Sequence, residues 1–273
     1  MIRHPAVAGY FYKGSPETLK QQVQEFILPD AAKTKALGIL APHAGLVYSG
    51  PVAGAVYSNI ELQDTFVLIG PNHTGLGERV SIMTKGSWET PLGTCEIEES
   101  LANSILSKSS VIREDSLAHL REHSLEVQLP FIQYFKENSK IVPIQMLDTR
   151  FDTCLTLGRA VAEAVEEHDR KSKIDRGTLI VASSDMSHYE RASDAKEKDL
   201  KAINQILRLD PQGLYNTVKE YGITMCGYGP AIAMLTACKI LGATKAVLVK
   251  YANSGDVSGD YNQVVGYAGV VIS

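Results

Sequence analysis

Apolar runs rich in β-branched residues recur at positions 36–41, 65–70, 141–147, 178–183, 245–251 and 263–272. Several lack polar alternation, the pattern of strands covered on both faces. Between them, a 3.6-residue periodicity predicts helices at 16–28, 97–108, 123–137, 152–167, 193–208, 211–220 and 230–241. Strands alternating with helices select an α/β fold, with a mostly buried central sheet and helices on both faces. Gly and Pro interrupt residues 80–96, which read as a hairpin or short strands. The polar patch at 166–177 sits between a helical pattern and a strand, as a surface connection does. The whole chain, 1–273, is therefore expected to be a single domain.

The charge balance narrows the partners. With 27 Lys and Arg against 31 Asp and Glu, the net charge is −4, so no basic excess points to nucleic acid or an anionic membrane. No run approaches the length of a membrane span, and residues 1–19 lack a signal-peptide core. A cytoplasmic location is expected, with an unknown small molecule or another protein as partner. The four cysteines, Cys95, Cys154, Cys226 and Cys238, have no CxxC spacing and are expected to be reduced. Neither a phosphate-binding glycine motif nor a nucleophile elbow is present.

In α/β sheets, ligands collect beyond the carboxyl ends of the strands. The run at 36–41 is followed by Pro42-His43-Ala44-Gly45, and that at 65–70 by Pro71-Asn72-His73. The run at 178–183 leads into Ser184-Asp185-Met186-Ser187-His188. The run at 245–251 leads to Ser254, Asp256 and Asp260. One histidine in a turn is most simply a cap or a hydrogen-bonding group. Three of the seven at strand ends, with Gly45, Gly75 and Gly77 nearby, point instead to a metal site or acid/base chemistry.

Cys226 lies just before Gly227 and the helix expected from Pro230, where the helix N-terminus favours thiolate. Such a thiolate can ligate a metal or act as a nucleophile. In "AHLREHSLEVQLPF", 118–131, His123 and Glu126 are spaced to share a helical face. His123 is assigned to the surroundings of the metal or to substrate binding. Glu122 and Ser124 read as helix-capping groups.

The motifs "HPAVAGYFY" (4–12), "APHAGLVYSG" (41–50), "IGPNHTG" (69–75), "EHSLEVQLPF" (122–131), "SSDMSHY" (183–189) and "MCGYGP" (225–230) resemble those of the Memo (mediator of cell motility) family, in the family order. That family in turn resembles the class III extradiol ring-cleaving dioxygenases, α/β enzymes of non-haem ferrous iron. The resemblance implies a metal held by His43, His73 and Cys226. It implies His188 as the acid/base group, with Asp185 and His123 lining the pocket and Asp185 setting the His188 tautomer. Cys226 stands where the dioxygenases place a carboxylate, and a thiolate shifts preference towards Cu(I) or Zn. Fe(II) or copper is the expected metal, with Zn as a further option. Tyr228 and Gly229 replace a histidine that follows the cysteine in animal members, which separates this chain from their signalling role. Prokaryotic relatives suggest a pathway shared with a radical-SAM protein. Four functions remain open on this reading: a metal-dependent redox enzyme of dioxygenase type, a metal carrier, a protein-interaction module, and a metal-independent Cys/His hydrolase using Cys226 and His188.

Overall fold

Four parallel strands, covered on both faces, form the centre of the molecule. The computed structural model describes residues 1–172 and 177–273, so part of the 166–177 patch lies outside the described residues. In chain order the strands are β1 (Ile2–Arg3), β2 (Gly38–Ala41), β3 (Thr65–Pro71), β4 (Val80–Ile82), β5 (Ser87–Thr90), β6 (Gly93–Ile97), β7 (Arg113–Glu114), β8 (Lys140–Met146), β9 (Thr178–Ser183), β10 (His188–Glu190), β11 (Ala246–Asn253) and β12 (Val264–Ile272). The helices are α1 (Pro16–Phe26), α2 (Leu46–Ser58), α3 (Glu99–Lys108), α4 (Leu117–Leu120), α5 (Leu129–Phe135), α6 (Phe151–Ser172), α7 (Ala192–Leu207), α8 (Pro211–Glu220), α9 (Tyr228–Ile240) and α10 (Gly255–Ser258).

The central order is β8-β3-β9-β2, all parallel. Every residue of β2, β3 and β9 is buried, as the unalternating apolar runs predict. Beyond β8 lie β6, β5 and β1; beyond β2 lies β12, which runs antiparallel and carries β10 and β11. Because the central strands are parallel, their carboxyl ends share one rim.

Helices cover both faces. Gly38 of β2 meets Met234 and Cys238 of α9, whereas Gly269 of β12 meets Val52 and Val56 of α2. Gly38 pairs with Ile272, three residues along β12 from Gly269, so the two helices lie on opposite faces. The buried side chains of both layers join one core cluster.

Two departures from the sequence pattern have physical causes. Helix α2 gave no periodic signal because it is buried around most of its circumference, so no polar stripe marks it. Its Gly50 and Gly54 seat the Phe26 ring and backbone of α1. A Gly54→Ala methyl would overlap the Phe26 carbonyl oxygen, and about 1–3 kcal/mol of stability is expected to be lost. A lower urea midpoint at unchanged slope would register it. The second departure is the helix expected at 123–137. Pro130 lies in the first turn of α5, and only a 3-10 turn, Glu126–Gln128, precedes it. His123 and Glu126 therefore share no helical face.

A buried histidine makes stability pH-dependent. His119, in α4, has Nε2 3.2 Å from Ser81 Oγ, while its Nδ1 has no hydrogen-bond partner among the described residues. Burial, reinforced by the Arg3 charge, lowers its pKa from 6.5 to about 3. The unfolded chain accepts a proton near pH 6.5 that the folded chain refuses until about pH 3, so stability declines as pH falls through that window. Denaturant midpoints are expected to drop between neutral pH and about pH 4, and less steeply in His119→Gln.

Candidate metal centre

His43 is the second residue after β2 and is buried. Its backbone N–H donates to Asp185 Oδ1 at 2.8 Å, and the Ala44 N–H reaches the same oxygen at 3.3 Å. Its Nδ1 lies 2.9 Å from Ser183 Oγ, at the end of β9. The Ser183 hydroxyl donates to the Ser124 carbonyl at 2.7 Å and accepts from Gln128 Nε2 at 3.0 Å. With its proton committed, Ser183 accepts from His43 Nδ1–H, which puts the free lone pair on Nε2. Burial, followed by the neighbouring imidazoles of His123, His73 and His188, pushes the His43 pKa well down and keeps the ring neutral.

His73 follows β3 in a turn organised by Asn72, whose Oδ1 accepts from the N–H groups of Thr74 and Gly75. Both its backbone N–H and its Nδ1 are held by the buried carboxylate of Glu122, Nδ1 at 3.0 Å. Glu122 Oε1 also accepts from the N–H groups of His123 and Ser124, each at 2.9 Å. Burial pushes Glu122 up, but the His73 hydrogen bond, the charges of His73 and His123 and the Ser124 amide outweigh it and hold the pKa at about 2. An ionised carboxylate only accepts, so His73 carries its proton on Nδ1 and presents Nε2. His123 Nδ1 lies 3.3 Å from the same Glu122 oxygen.

The three imidazoles form one cluster. A ligand nitrogen from each of His43, His73 and His123 lies within 4.8 Å of the others. The His73 and His123 rings stack with centroids 4.7 Å apart, and Phe11 packs on the His123 ring at the same separation. His43 is 1% exposed, against 22% for the His123 side chain and 36% for that of His73, so the cluster is closed at the sheet and open on one side.

Cys226 Sγ lies 3.3 Å from His43 Nε2 and also accepts from the Asp185 N–H. It immediately precedes Gly227, the N-cap of α9. Burial, followed by the Asp185 carboxylate, pushes the thiol pKa up, the reverse of the thiolate expected from the helix end alone. Desolvation of a negative sulfur beside a carboxylate outweighs the partial charge of a helix terminus. Nitrogen and sulfur ligands of one tetrahedral ion sit about 3.5 Å apart, and the observed 3.3 Å fits that edge. Imidazole and sulfur donors suit iron, copper and zinc.

The remaining candidates are placed as follows. His188 donates Nδ1–H to the Thr224 carbonyl at 2.9 Å, and its backbone N–H goes to Thr224 Oγ1 at 2.7 Å. Thr224, not Asp185, therefore sets the His188 tautomer. Asp185 is buried, its pKa pushed up by desolvation against the pull of the His43 amide. Asp256 and Asp260 accept from the N–H groups of Asn253 and Asn262 within their own loop and are not in the imidazole cluster. Glu126 turns the other way, accepting from Arg3, Ala6, Val7 and Tyr12.

The Memo-like protein family model matches residues 3–271. The chain belongs to the Memo-like family. A MEMO1 family protein of Methanothermobacter thermautotrophicus is 44% identical over 280 residues, covering 98% of this chain and 99% of the relative. One from Aquifex aeolicus is 44% identical over 272 residues, covering 99% and 98%. The crystal structure of an uncharacterized protein from Escherichia coli K12 has a TM-score of 0.54 at 13% identity, covering 87% of this chain and 100% of that one, a likeness of fold.

Two groups of this Memo-like chain escaped the sequence pattern, Glu122 and Ser183. Glu122 reads as a capping residue when a helix is assumed at 123. Its adjacency to His123 in a polar stretch was the available signal. Ser183 reads simply as the last residue of a strand. Among the described residues, no helix is long and apolar enough to cross a membrane.

Proposed function

We propose that this Memo-like protein is a metal-dependent redox enzyme of dioxygenase type. His43 and His73 hold the ion at the ends of β2 and β3, and Cys226 or His123 supplies a further donor. One observation carries the metal part of the reading: His43 and His73 each commit Nδ1 to a fixed acceptor, Ser183 or Glu122, which leaves Nε2 free, and a ligand nitrogen of each lies within 4.8 Å of the other. Metal-binding histidines are held in this way, with the distal nitrogen on a carboxylate or a neutral acceptor. Bound iron(II) or copper would supply Lewis acidity and one-electron chemistry.

The protein's own groups do the rest. With Nδ1–H on the Thr224 carbonyl, His188 keeps Nε2 free to accept a proton from substrate and return it. Asp185 fixes the backbone at His43 and Ala44. The exposed flank at His73 and His123 is where substrate enters. A second reading, a carrier of Cu(I), is favoured by Cys226 Sγ beside His43 Nε2.

Protein loaded anaerobically with Fe(II), and separately with Cu(I), tests both through oxygen uptake on phenols and other small aromatics. For an enzyme, His188→Ala is expected to lose about 100- to 10,000-fold in rate while retaining metal. Metal retention with no stimulated uptake by any loaded form would leave the carrier reading and remove the enzyme.

A further inference from the structure

Among the described residues, two that are not glycine have a left-handed backbone, Leu209 at φ 53° and Tyr189 at φ 60°. The conformation crowds Cβ against the backbone and is an outlier for a bulky side chain. Leu209, in the turn between α7 and α8, is only 8% exposed, so burial of its side chain offsets the cost. Tyr189 is 75% exposed and gains no such return. Strain of this kind persists where it serves a site. We infer that Tyr189 is a substrate-contacting residue, its ring forming the wall on which a planar aromatic substrate packs beside His188. The inference rests on the enzyme reading proposed above, in which His188 exchanges a proton with substrate, and adds the residue that sets the plane of that substrate.

The strained backbone changes where the ring goes. Tyr189 is the middle residue of β10, and consecutive side chains of a regular strand point to opposite faces. Here the ladder is irregular. His188 pairs with Val265 and Glu190 with Val264, two steps along β10 against one along β12. Tyr189 is thus the inserted residue of a bulge, a device that re-aims a side chain. Its ring lies against that of its chain neighbour His188, with centroids 5.9 Å apart and planes at 61°.

Anchors on both sides hold this geometry. The Ser187 N–H donates to the buried Asp199 of α7 at 2.9 Å. Thr224 takes the next residue twice, its Oγ1 accepting from the His188 N–H and its carbonyl from His188 Nδ1. On the far side, Lys198 Nζ donates to Glu190 Oε1 at 2.9 Å. Glycine would adopt the same φ without strain, so the bend itself has no need of tyrosine. What tyrosine adds is a rigid exposed ring beside an imidazole whose Nε2 is free. An aromatic substrate at this corner has one ring to pack on and one nitrogen to take its proton. An aliphatic alcohol of the same size has no π face to offer the ring.

NMR titrations of the full chain with phenol, and with cyclohexanol as its non-planar counterpart, test the assignment. Phenol is expected to shift the His188 imidazole signals, which are identified by their loss in His188→Ala. Tyr189→Phe, which keeps the ring, should bind phenol as the wild type does. Tyr189→Asn removes the ring but tolerates a left-handed backbone, and should bind phenol about 2- to 10-fold more weakly, the usual worth of one aromatic pair. Cyclohexanol affinity should be the same in all three. The urea midpoint of Tyr189→Asn should equal or exceed that of the wild type, because the strain is released; a tyrosine needed only for folding would give a lower one. Phenol bound beside His188 with equal affinity in all three chains, or a lowered midpoint in Tyr189→Asn, would overturn the inference and leave the enzyme reading standing. Wild-type His188 signals indifferent to phenol would overturn the inference and, if oxygen uptake is also unstimulated, the enzyme reading with it.

Discussion

Purified anaerobically, the wild-type chain is expected to carry a stoichiometric transition metal, and His43→Ala and His73→Ala are expected to carry none. Glu122→Gln should lie between, weakening the metal by about 10- to 100-fold, the usual effect of losing a carboxylate behind a histidine ligand. Metal content by mass spectrometry and chelator competition would give both results. The Glu122 side chain accepts from the His73 imidazole and from the backbone N–H groups of His73, His123 and Ser124. A carboxamide has one accepting oxygen and a donating nitrogen, so Gln turns a donor towards at least one of these donors. The His73 ring then loses its orientation, and its Nδ1 proton is no longer specified. Wild-type levels of metal in Glu122→Gln would show that His73 is held by other means. Metal retained in both alanine variants would place the ion elsewhere.

Arg3→Ala is expected to destabilise the protein by about 3–5 kcal/mol, the range for breaking one side of a buried ion pair. Arg3 and Glu126 are both fully buried, with Nη1 to Oε2 at 2.6 Å. The same guanidinium donates from Nε to the His119 carbonyl at 2.8 Å and from Nη2 to the Glu122 carbonyl at 2.6 Å, and its Cζ lies 4.2 Å from the centre of the Trp88 ring. Removing it strands the Glu126 charge, leaves the buried Glu122 carbonyl without its donor and takes one donor from the His119 carbonyl. The Glu122 backbone is one of those carbonyls, so the N-terminal strand is tied to the loop that steers His73. Metal affinity should therefore fall together with stability. Chemical denaturation of Arg3→Ala, Glu126→Gln and the double variant would give the coupling, with the double variant less impaired than the sum of the singles. A loss for Arg3→Ala no larger than that of an ordinary surface substitution would show that water replaces the guanidinium.

The N-terminal "RHPAVAGYFY" carries no chemical motif, and its purpose emerges only in three dimensions. Ala6 N–H, Val7 N–H and the Tyr12 hydroxyl all converge on Glu126, while Phe11 reaches the His123 ring. Glu126, spaced from His123 as a helical pair, instead anchors this segment. The apolar periodicity of α5 continues backwards through Pro130 in the sequence, but there the backbone starts a helix rather than continues one. Helix α2 is silent in the sequence for the opposite reason. A segment buried nearly all round has no polar face to give it a period.

The sequence by itself determined the rim. Unalternating apolar runs mark β2, β3 and β9 as strands buried on both faces. An α/β sheet gathers ligands beyond the carboxyl ends of its strands, and His43, His73 and Asp185 follow those ends in the chain. Those are local patterns, and local patterns survive in a linear reading. The order in which the strands pair came from the tertiary structure. Tertiary structure alone decided which atoms meet: Ser183 and Glu122 behind the two histidines, Cys226 against His43 across 183 positions, His123 beside His73, and the Thr224 carbonyl rather than Asp185 on His188. Each contact joins side chains on irregular backbone from distant parts of the chain. Their directions depend on how loops close over the packed sheet, which neither a 2-residue nor a 3.6-residue period encodes.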